Sequence, residues 1–268
     1  MESQPSQFFL HPAVVGRRTL ALIGEFGAFA CFLGFGIRSI FTLPFQFSKI
    51  IQQMYFIGVK SIFVIALIGL FTGMVLGLQG YYTLVKFGSE GLLGAAVALS
   101  IIRELGPVLT AIMVTGRAGS AMAAEIGIMR ISEQIDALDT MDIDPIRFLI
   151  GPRIVAALIC FPLLTAIFDV IGILGGYVSG VALLGINKGI YFYRINSSVE
   201  LTDIMGGFTK AIVFGLLVVT ICCFEGYFTH TRAGGFGAKG VSLATTSAVV
   251  LSCIFILVSD YVLTSFLL

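Results

Sequence analysis

Two adjacent charges, Arg103 and Glu104, lie in the middle of residues 91–116, a stretch that is otherwise apolar and long enough to cross a bilayer. A charged side chain at mid-membrane costs about 3 kcal/mol on insertion scales. Adjacent helical side chains point about 100° apart, so at least one of the two should face a cavity, a ligand or another chain. Pro107 cannot donate to the carbonyl of Arg103, so we expect a kinked helix and a polar patch here. A structural ion pair with another helix, for instance through Asp169, would explain the same charges.

A second pattern is a run of glycines at intervals of four, Gly69, Gly73 and Gly77, with Gly80 following Gln79. Small residues at this spacing share one helix face and let another backbone approach closely. Helix packing alone would explain the glycines, and a contact between two copies of the chain would use the same face. Gln79 is a polar side chain near the end of the stretch, and packing does not account for it.

The segment between the second and third apolar stretches has the pattern of a short amphipathic helix. Ser132 is a candidate N-cap, and Asp144 followed by Pro145 indicates a capped start of the next helix. One face would carry an apolar stripe (Ile131, Ile135, Leu138, Met141) and the other would be acidic (Glu133, Asp136, Asp139). Such a helix could lie on the membrane surface or dock into a cytoplasmic partner. The acidic face argues against simple adhesion to anionic lipid.

The composition is that of a polytopic membrane protein. Of the 268 residues, 57% are hydrophobic and only 12% are charged, with a mean hydropathy of +1.03, whereas soluble domains have about 25% charged residues. The net charge of +1 argues against a nucleic-acid partner. Two histidines cannot build a metal site by themselves, and the five cysteines fit the role of small buried hydrophobes.

The positions of the charges divide the chain into five predicted transmembrane helices, at residues 61–85, 91–116, 154–187, 211–228 and 241–268. Residues 19–41 are apolar but contain Glu25 and Arg38, and we expect a helix lying in the interface, with a sixth span as the alternative. The predicted fold is therefore an all-α integral membrane protein. It has an N-terminal interfacial region in residues 1–50, a transmembrane domain in residues 51–268, and a short cytoplasmic helix between the second and third spans.

The distribution of basic residues predicts the orientation. With a cytoplasmic N-terminus, the outer segments hold only Lys86, Lys188, Arg194 and Lys210, and the other basic residues outside the spans lie inside. This bias places the C-terminus outside.

The sequence contains no motif for ATP hydrolysis or for hydrolytic catalysis. It has no G-x-x-x-x-G-K-[ST] phosphate loop, no H-E-x-x-H and no G-x-S-x-G. If transport by this chain uses ATP, another chain must bind and hydrolyse it. No catalytic residue, cofactor or metal is expected.

Several stretches resemble the MlaE/YrbE family of ABC-transporter permeases. They are GMVLGLQGY at 73–81, RELGPV at 103–108, GRAGSA at 116–121 and AEIGIMR at 124–130. Glu133-Gln134, Asp144-Pro145, ATT at 244–246 and AVV at 248–250 follow in consistent order. The resemblance extends from about residue 55 to the end of the chain.

The resemblance implies a homodimeric, multi-pass permease in a bacterial inner membrane. It implies cytoplasmic ATPase subunits, a periplasmic MCE-domain partner, and movement of phospholipid between the membrane and that partner, which maintains the lipid asymmetry of the outer membrane. By resemblance, lipid would be held near Leu76, Gln79, Arg103, Glu104 and Leu105. The ATPase would contact a coupling helix through Glu133, Ile135, Asp136, Leu138, Asp139 and Met141.

Two other functions compete with this interpretation. An ion-coupled secondary lipid transporter could use Glu104 and Asp169 as proton carriers, but it would be expected to have inverted repeats and several broken helices. An intramembrane enzyme that modifies lipid would need a cluster of acid, base or metal ligands. One Arg-Glu pair is a poor start for such a site.

Overall fold

The computed structural model describes residues 12–40, 46–231 and 237–267, and these residues are helical, with no strand among them. Short 3₁₀ turns and three π-helical turns (Ile101–Leu105, Thr115–Gly119 and Val178–Leu183) connect or interrupt the α-helices. The helices are α1 (Pro12–Ile40), α2 (Phe47–Ile57), α3 (Ile62–Val85), α4 (Leu93–Ser100), α5 (Gly106–Val114), α6 (Ser120–Ile131), α7 (Gln134–Thr140), α8 (Pro145–Leu149), α9 (Gly151–Tyr177), α10 (Lys188–Ser198), α11 (Leu201–Tyr227) and α12 (Gly237–Leu267).

Five helical runs are long and apolar enough to cross a membrane, which confirms the five predicted spans. They are Phe47–Val85, Glu90–Ile131, Pro145–Leu183, Leu201–Tyr227 and Gly237–Leu267. Most begin or end beyond the predicted limits, because a charged residue ends an apolar run but does not end a helix when that charge has a partner. Lys210 shows this most clearly. The sequence predicted it in an outer segment, and it lies within α11 with its side chain 3% exposed.

Helix α1 packs against α8, α9 and α11. The ring of Phe32 is buried against Phe224, Tyr227 and Phe228, whereas Phe26 remains exposed. An interfacial position for residues 19–41 stays a prediction, and residue 41 lies outside the described part of the chain.

The first and third spans lie side by side and run in the same direction. Gly69 faces Phe168, Gly73 faces Gly172, and Gly77 faces Gly176 and Ser179. A methyl group added at Gly73 would overlap the carbonyl oxygen of Gly172. The glycine face therefore packs against α9 of the same chain, and the prediction that it forms the contact between two copies is wrong.

The segment after α6 differs in detail from the predicted amphipathic helix. Ser132 is not an N-cap, because its hydroxyl donates to the Ile128 carbonyl at the end of α6, and Glu133, with φ of 59°, precedes α7. Asp144 caps α8 as predicted, accepting from the backbone N–H groups of Ile146 and Arg147.

The two faces of α7 are used differently from the prediction. Ile135 and Leu138, at 0% and 9% exposed, are buried within the chain and cannot form an open stripe for a partner. The outward surface carries Glu133, Asp136, Asp139 and Met141.

Candidate functional site

A polar cavity of about 250 Å³ lies between the second, fourth and fifth spans. The π-helical turn of the second span contributes Arg103 and Glu104, and the start of α11 contributes Asp203 and Lys210. Thr264, near the end of α12, closes the other side. Because α11 begins and α12 ends here, the cavity lies toward the end of the bundle opposite α7. Arg103 is thus nearer the Glu90 end of its span, and not at the middle as the sequence predicted.

The π-helical turn lies directly before Gly106-Pro107 and contains the two charges. Pro107 has no N–H to donate to the carbonyl of Arg103, so the normal ladder of α-helical hydrogen bonds cannot continue. The backbone adopts π geometry over Ile101–Leu105, and the Gly106 N–H donates to the Ile101 carbonyl. Lys210 Nζ donates to the freed carbonyl of Arg103 at 3.0 Å. The sequence predicted a kink here, and the structure shows a π-helical turn whose free carbonyl accepts from a lysine of another span.

Lys210 is the centre of the buried side of the cavity. Its Nζ lies 2.7 Å from Glu104 Oε2, 2.7 Å from Thr264 Oγ1 and 3.0 Å from Asp260 Oδ1. An ammonium group has three N–H donors and four acceptors surround this one. Asp260 Oδ1 is the most distant of the three side-chain oxygens around Lys210, and its carboxylate lies within ion-pair distance of the ammonium. The lysine joins the second, fourth and fifth spans.

Arg103 forms the open side of the cavity. Its Nε and Nη2 both lie 2.7 Å from Asp203 Oδ1, and its side chain is 45% exposed. The other carboxylate oxygen, Asp203 Oδ2, accepts from the Glu200 backbone N–H in a capping box at the start of α11. Asp203 is therefore held in place by the helix end, and it orients Arg103 toward the cavity.

The structure decides how the two central charges are paired. Helix geometry predicted that Arg103 and Glu104 would not pair with each other, and they do not. Each of them pairs with a residue of another helix. The partner helix is α11, through Asp203 and Lys210. It is not Asp169, which packs against Gly106 and whose Oδ1 has no hydrogen-bond partner among the described residues.

The other residues expected near a lipid lie outside this cavity. Leu105 is half-buried in the π-helical turn and does not line it. Leu76 is half-buried and Gln79 is exposed, and both lie on α3, which does not line it either. Gln79 lies on the face of α3 opposite the glycines, in line with the exposed side chains of Phe71 and Val75.

The predicted coupling residues are grouped around α7. Asp136 forms an ion pair with Arg130 at 2.7 Å, and Arg130 Nε also donates to His230 Nδ1 at 3.0 Å. These contacts tie α7 to the end of α6 and to the 3₁₀ turn that follows α11. Asp139 and Met141 are exposed on the outward surface.

Sequence reasoning missed most of the residues that complete the cavity. The sequence does not single out Asp203, Asp260 or Thr264, and it predicts Lys210 only as a basic residue of an outer segment. The available signal is a set of charged residues spaced through mostly apolar stretches. Because the sequence does not show the distant partners of Lys210, this charge indicates the end of a span.

The cavity presents charged groups of both signs that can bind polar groups. Arg103 and Lys210 are cationic, and Glu104, Asp203 and Asp260 are carboxylates. In the described ranges, no group of three or more His, Cys, Asp or Glu side chains could hold a metal ion. Charges of both signs beside an apolar bundle are suited to a zwitterionic group attached to an apolar body.

Comparison with known proteins agrees with the resemblance in the sequence. The family described as "Permease MlaE" matches residues 50–266. A "Probable ABC transporter permease protein" of Rickettsia bellii is 45% identical over 250 residues, covering 93% of this chain and 95% of its own length. The "Intermembrane phospholipid transport system permease protein MlaE" of Haemophilus influenzae is 44% identical over 221 residues, covering 82% and 83% of the two chains.

A plant protein is also similar. The chloroplastic "Protein TRIGALACTOSYLDIACYLGLYCEROL 1" of Arabidopsis thaliana is 38% identical over 216 residues, covering 81% of this chain and 60% of its own. The family match spans all five membrane-crossing runs and includes both the charged cavity and α7. This multi-pass chain belongs to the MlaE family of ABC-transporter permeases.

Proposed function

We propose that this chain is the membrane subunit of an ATP-driven transporter that moves phospholipid between a bacterial inner membrane and a periplasmic MCE-domain partner. As an ABC-transporter permease it has no ATPase activity of its own and works with a separate ATPase subunit. The observation that carries the proposal is the charged cavity around Lys210, which places cations and carboxylates inside a bundle of apolar spans. The Haemophilus relative is named for phospholipid transport, which gives the cavity a substrate class.

The chemistry of a phospholipid headgroup matches the cavity. A phosphate would accept hydrogen bonds from Arg103, which is the more exposed cation, and an amine would lie near Glu104, whose side chain is 42% exposed. The free-energy cost of desolvating these charges would then be offset by interactions with the ligand as well as with their partners in the protein. Leu76, Gln79 and Leu105 lie outside the cavity itself, and in this proposal they contact the acyl chains.

A second copy of the chain would complete the lipid site. The outer face of α3 is the surface we assign to it, because Phe71 and Val75 are 57% and 49% exposed and Gln79 lies in line with them. In a dimer with two-fold symmetry, the Gln79 side chains of the two copies would meet, and so would the apolar side chains of Phe71 and Val75. We therefore assign the contact between two copies to this face and not to the glycine face, which packs against α9 of the same chain.

The ATPase subunit would contact the outward surface of α7. Glu133, Asp136, Asp139 and Met141 are available there, and Ile135 and Leu138 hold the helix on the membrane domain. Asp139→Lys should lower the amount of ATPase subunit that co-purifies with the permease. Leu138→Arg would damage the fold of the permease as well, so it is the poorer test.

The orientation in this proposal rests on the role assigned to α7. If α7 contacts a cytoplasmic ATPase, the N-terminus is cytoplasmic, the C-terminus is periplasmic, and the charged cavity lies toward the periplasmic side. That position is the right one for passing lipid to or from an MCE-domain partner.

Reconstitution tests the proposal. The permease, its ATPase and its MCE-domain partner are placed in proteoliposomes containing fluorescent phospholipid, and ATP-dependent transfer is measured. We expect Glu104→Gln to reduce transfer at least tenfold, with Lys86→Gln, an exposed lysine outside the cavity, as the control. Equal transfer by the two variants would contradict the assignment of the cavity.

A further inference from the structure

A second polar cavity, of about 160 Å³, lies at the α7 end of the bundle. It is enclosed by the start of α2, the end of α6 and the region where α8 meets α9. Its polar lining consists of Lys49, Gln52, Gln53, Glu125 and Arg153. None of these residues belongs to the charged cavity around Lys210 or to the outward surface of α7.

Arg153 gives this cavity an oriented donor. The residue is 3% exposed, its Nη2 lies 2.9 Å from Glu125 Oε2, and its Nη1 donates to the Leu149 carbonyl at 2.7 Å. Its Nε has no hydrogen-bond partner in the part of the chain that the structure describes. A buried guanidinium N–H without an acceptor costs about 1–3 kcal/mol. A ligand that supplies an acceptor oxygen would recover that free energy.

The balance of charge favours an anion. The cavity is lined by two cations, Lys49 and Arg153, and by a single carboxylate, Glu125, whose side chain is 53% exposed and therefore well solvated. The Lys49 ammonium lies over the ring of Phe148 and has no carboxylate partner among the ion pairs of the described residues. Gln52 and Gln53 add side-chain amides, whose NH₂ groups can donate. Guanidinium, ammonium and amide donors around one small cavity are the groups that bind a phosphate.

The surroundings favour a phosphate that carries acyl chains. On α2, Ile51 and Tyr55 are 66% and 56% exposed and face outward beside the cavity. Farther along, α2 and α9, with the start of α3, line an apolar groove of about 850 Å³, which includes Met54 and Leu163. An acyl chain on a bound headgroup would lie against these same helices, whereas free phosphate would gain nothing from them.

We propose that this cavity binds the phosphate of an anionic phospholipid from the leaflet on the α7 side. Arg153 Nε and Lys49 Nζ donate to the phosphate oxygens, and Gln52 and Gln53 contact the glycerol end. The bound lipid contacts α2, α6 and α9 at the α7 end of the bundle. It is a stably bound structural lipid and is distinct from the lipid that the transporter moves.

Photo-labelling of the full-length chain in detergent tests the site. The probe is a phosphatidic acid with a diazirine near the glycerol, and labelled peptides are identified by mass spectrometry. We expect label in α2 or at the start of α9, and about fivefold less of it in Lys49→Gln, as for the loss of one basic contact to an anionic lipid. Lys86→Gln, far from the cavity, should label normally. Gln53→Leu, which keeps both cations, should also lose label, although less than Lys49→Gln.

Controls separate the possible ligands. A phosphatidylcholine with the same chains and diazirine should label this region weakly, and excess inorganic phosphate should not compete. Equal labelling of Lys49→Gln and wild type, or equal labelling by phosphatidylcholine, would mean that water alone fills the cavity and would overturn the proposal. Full competition by inorganic phosphate would overturn the assignment to lipid. Because neither ATP nor the ATPase is present, failure here would leave the proposed transport function standing.

Discussion

The first and third spans are held together very differently from the second, fourth and fifth. Between α3 and α9, glycines such as Gly73 and Gly172 bring the backbones into contact, and no charged side chain of α3 takes part. Around Lys210, three spans meet through ion pairs beside an open cavity. Where the glycines of α3 meet α9, close backbone packing leaves no room for a ligand, whereas charged side chains that are partly exposed can exchange partners with one. The comparison indicates a closely packed glycine contact and an open, charged contact that can bind and release a ligand.

Lys210→Met should have the largest effect on stability. It leaves Glu104, Asp260 and the Arg103 carbonyl without their buried cation, and breaking a buried pair costs about 3–5 kcal/mol. Because Glu104 is 42% exposed and can be solvated, we expect a loss of about 2–3 kcal/mol. The chain has no Trp, but its buried Cys160, Cys222 and Cys223 can report thermal unfolding through a thiol-reactive dye.

Two further variants give the controls for that measurement. Lys86→Met removes an exposed lysine and should unfold at the wild-type temperature. Adding Glu104→Gln to Lys210→Met should recover part of the loss, because one unpaired carboxylate is removed. A single Lys210→Met variant as stable as wild type would show that the ion pairs do not hold the three spans together.

Gly73→Ala tests the closely packed glycine contact and should have the next largest effect. The added methyl group overlaps the Gly172 carbonyl, so α3 and α9 must move apart. Overpacking of this kind costs about 1–3 kcal/mol. Gly34→Ala is the matched control, since no heavy atom lies within 4 Å of the added methyl group and helix propensity alone should stabilise it slightly. Thermal unfolding of the two variants measures the difference, and equal stabilities would refute the close packing of α3 on α9.

Arg103→Gln should have the smallest effect on stability. Its ion pair with Asp203 is 45% exposed on the arginine side and 9% exposed on the aspartate side. Because the glutamine amide can still donate to Asp203, we expect a loss of only about 1 kcal/mol. The capping box between Glu200 and Asp203 remains, so α11 should still begin at the same residue. Transfer of phospholipid should nevertheless fall, because the accessible cation of the cavity is gone. A variant that is strongly destabilised but transports normally would mean that Arg103 is a structural residue and does not bind the lipid.

The sequence predicted the fold well because long uncharged runs are sufficient to identify membrane spans. The five helices and the Asp144 cap were correct, and Pro107 did disturb its helix. The limits of the helices were less accurate, since a lysine such as Lys210 is compatible with a span only if distant residues pair with it. That pairing depends on tertiary contacts between residues more than 100 positions apart in the chain.

The partners of each surface could not be predicted from periodicity. The glycines of α3 and the stripe of α7 were recognised as contact surfaces, but periodicity does not say whether the contact lies within the chain or outside it. Gly73 and Leu138 both turned out to be covered by the chain's own helices. The charged pair Arg103-Glu104 was recognised because charges in an apolar span are costly, and its partners became known only from the fold.

The central claim is that the cavity around Lys210 holds phospholipid, and site-specific photo-crosslinking in cells tests it most directly. A photoreactive amino acid at Thr202, which lines the cavity, is compared with one at Leu257, which is 57% exposed on the outer surface of α12. Both sites are to be compared at equal expression, with phospholipid attached to the purified chain quantified by mass spectrometry. We predict severalfold more phospholipid at Thr202 than at Leu257, and a decrease at Thr202 when Arg103→Gln is added. Equal capture at the two positions, unaffected by Arg103→Gln, would contradict the account.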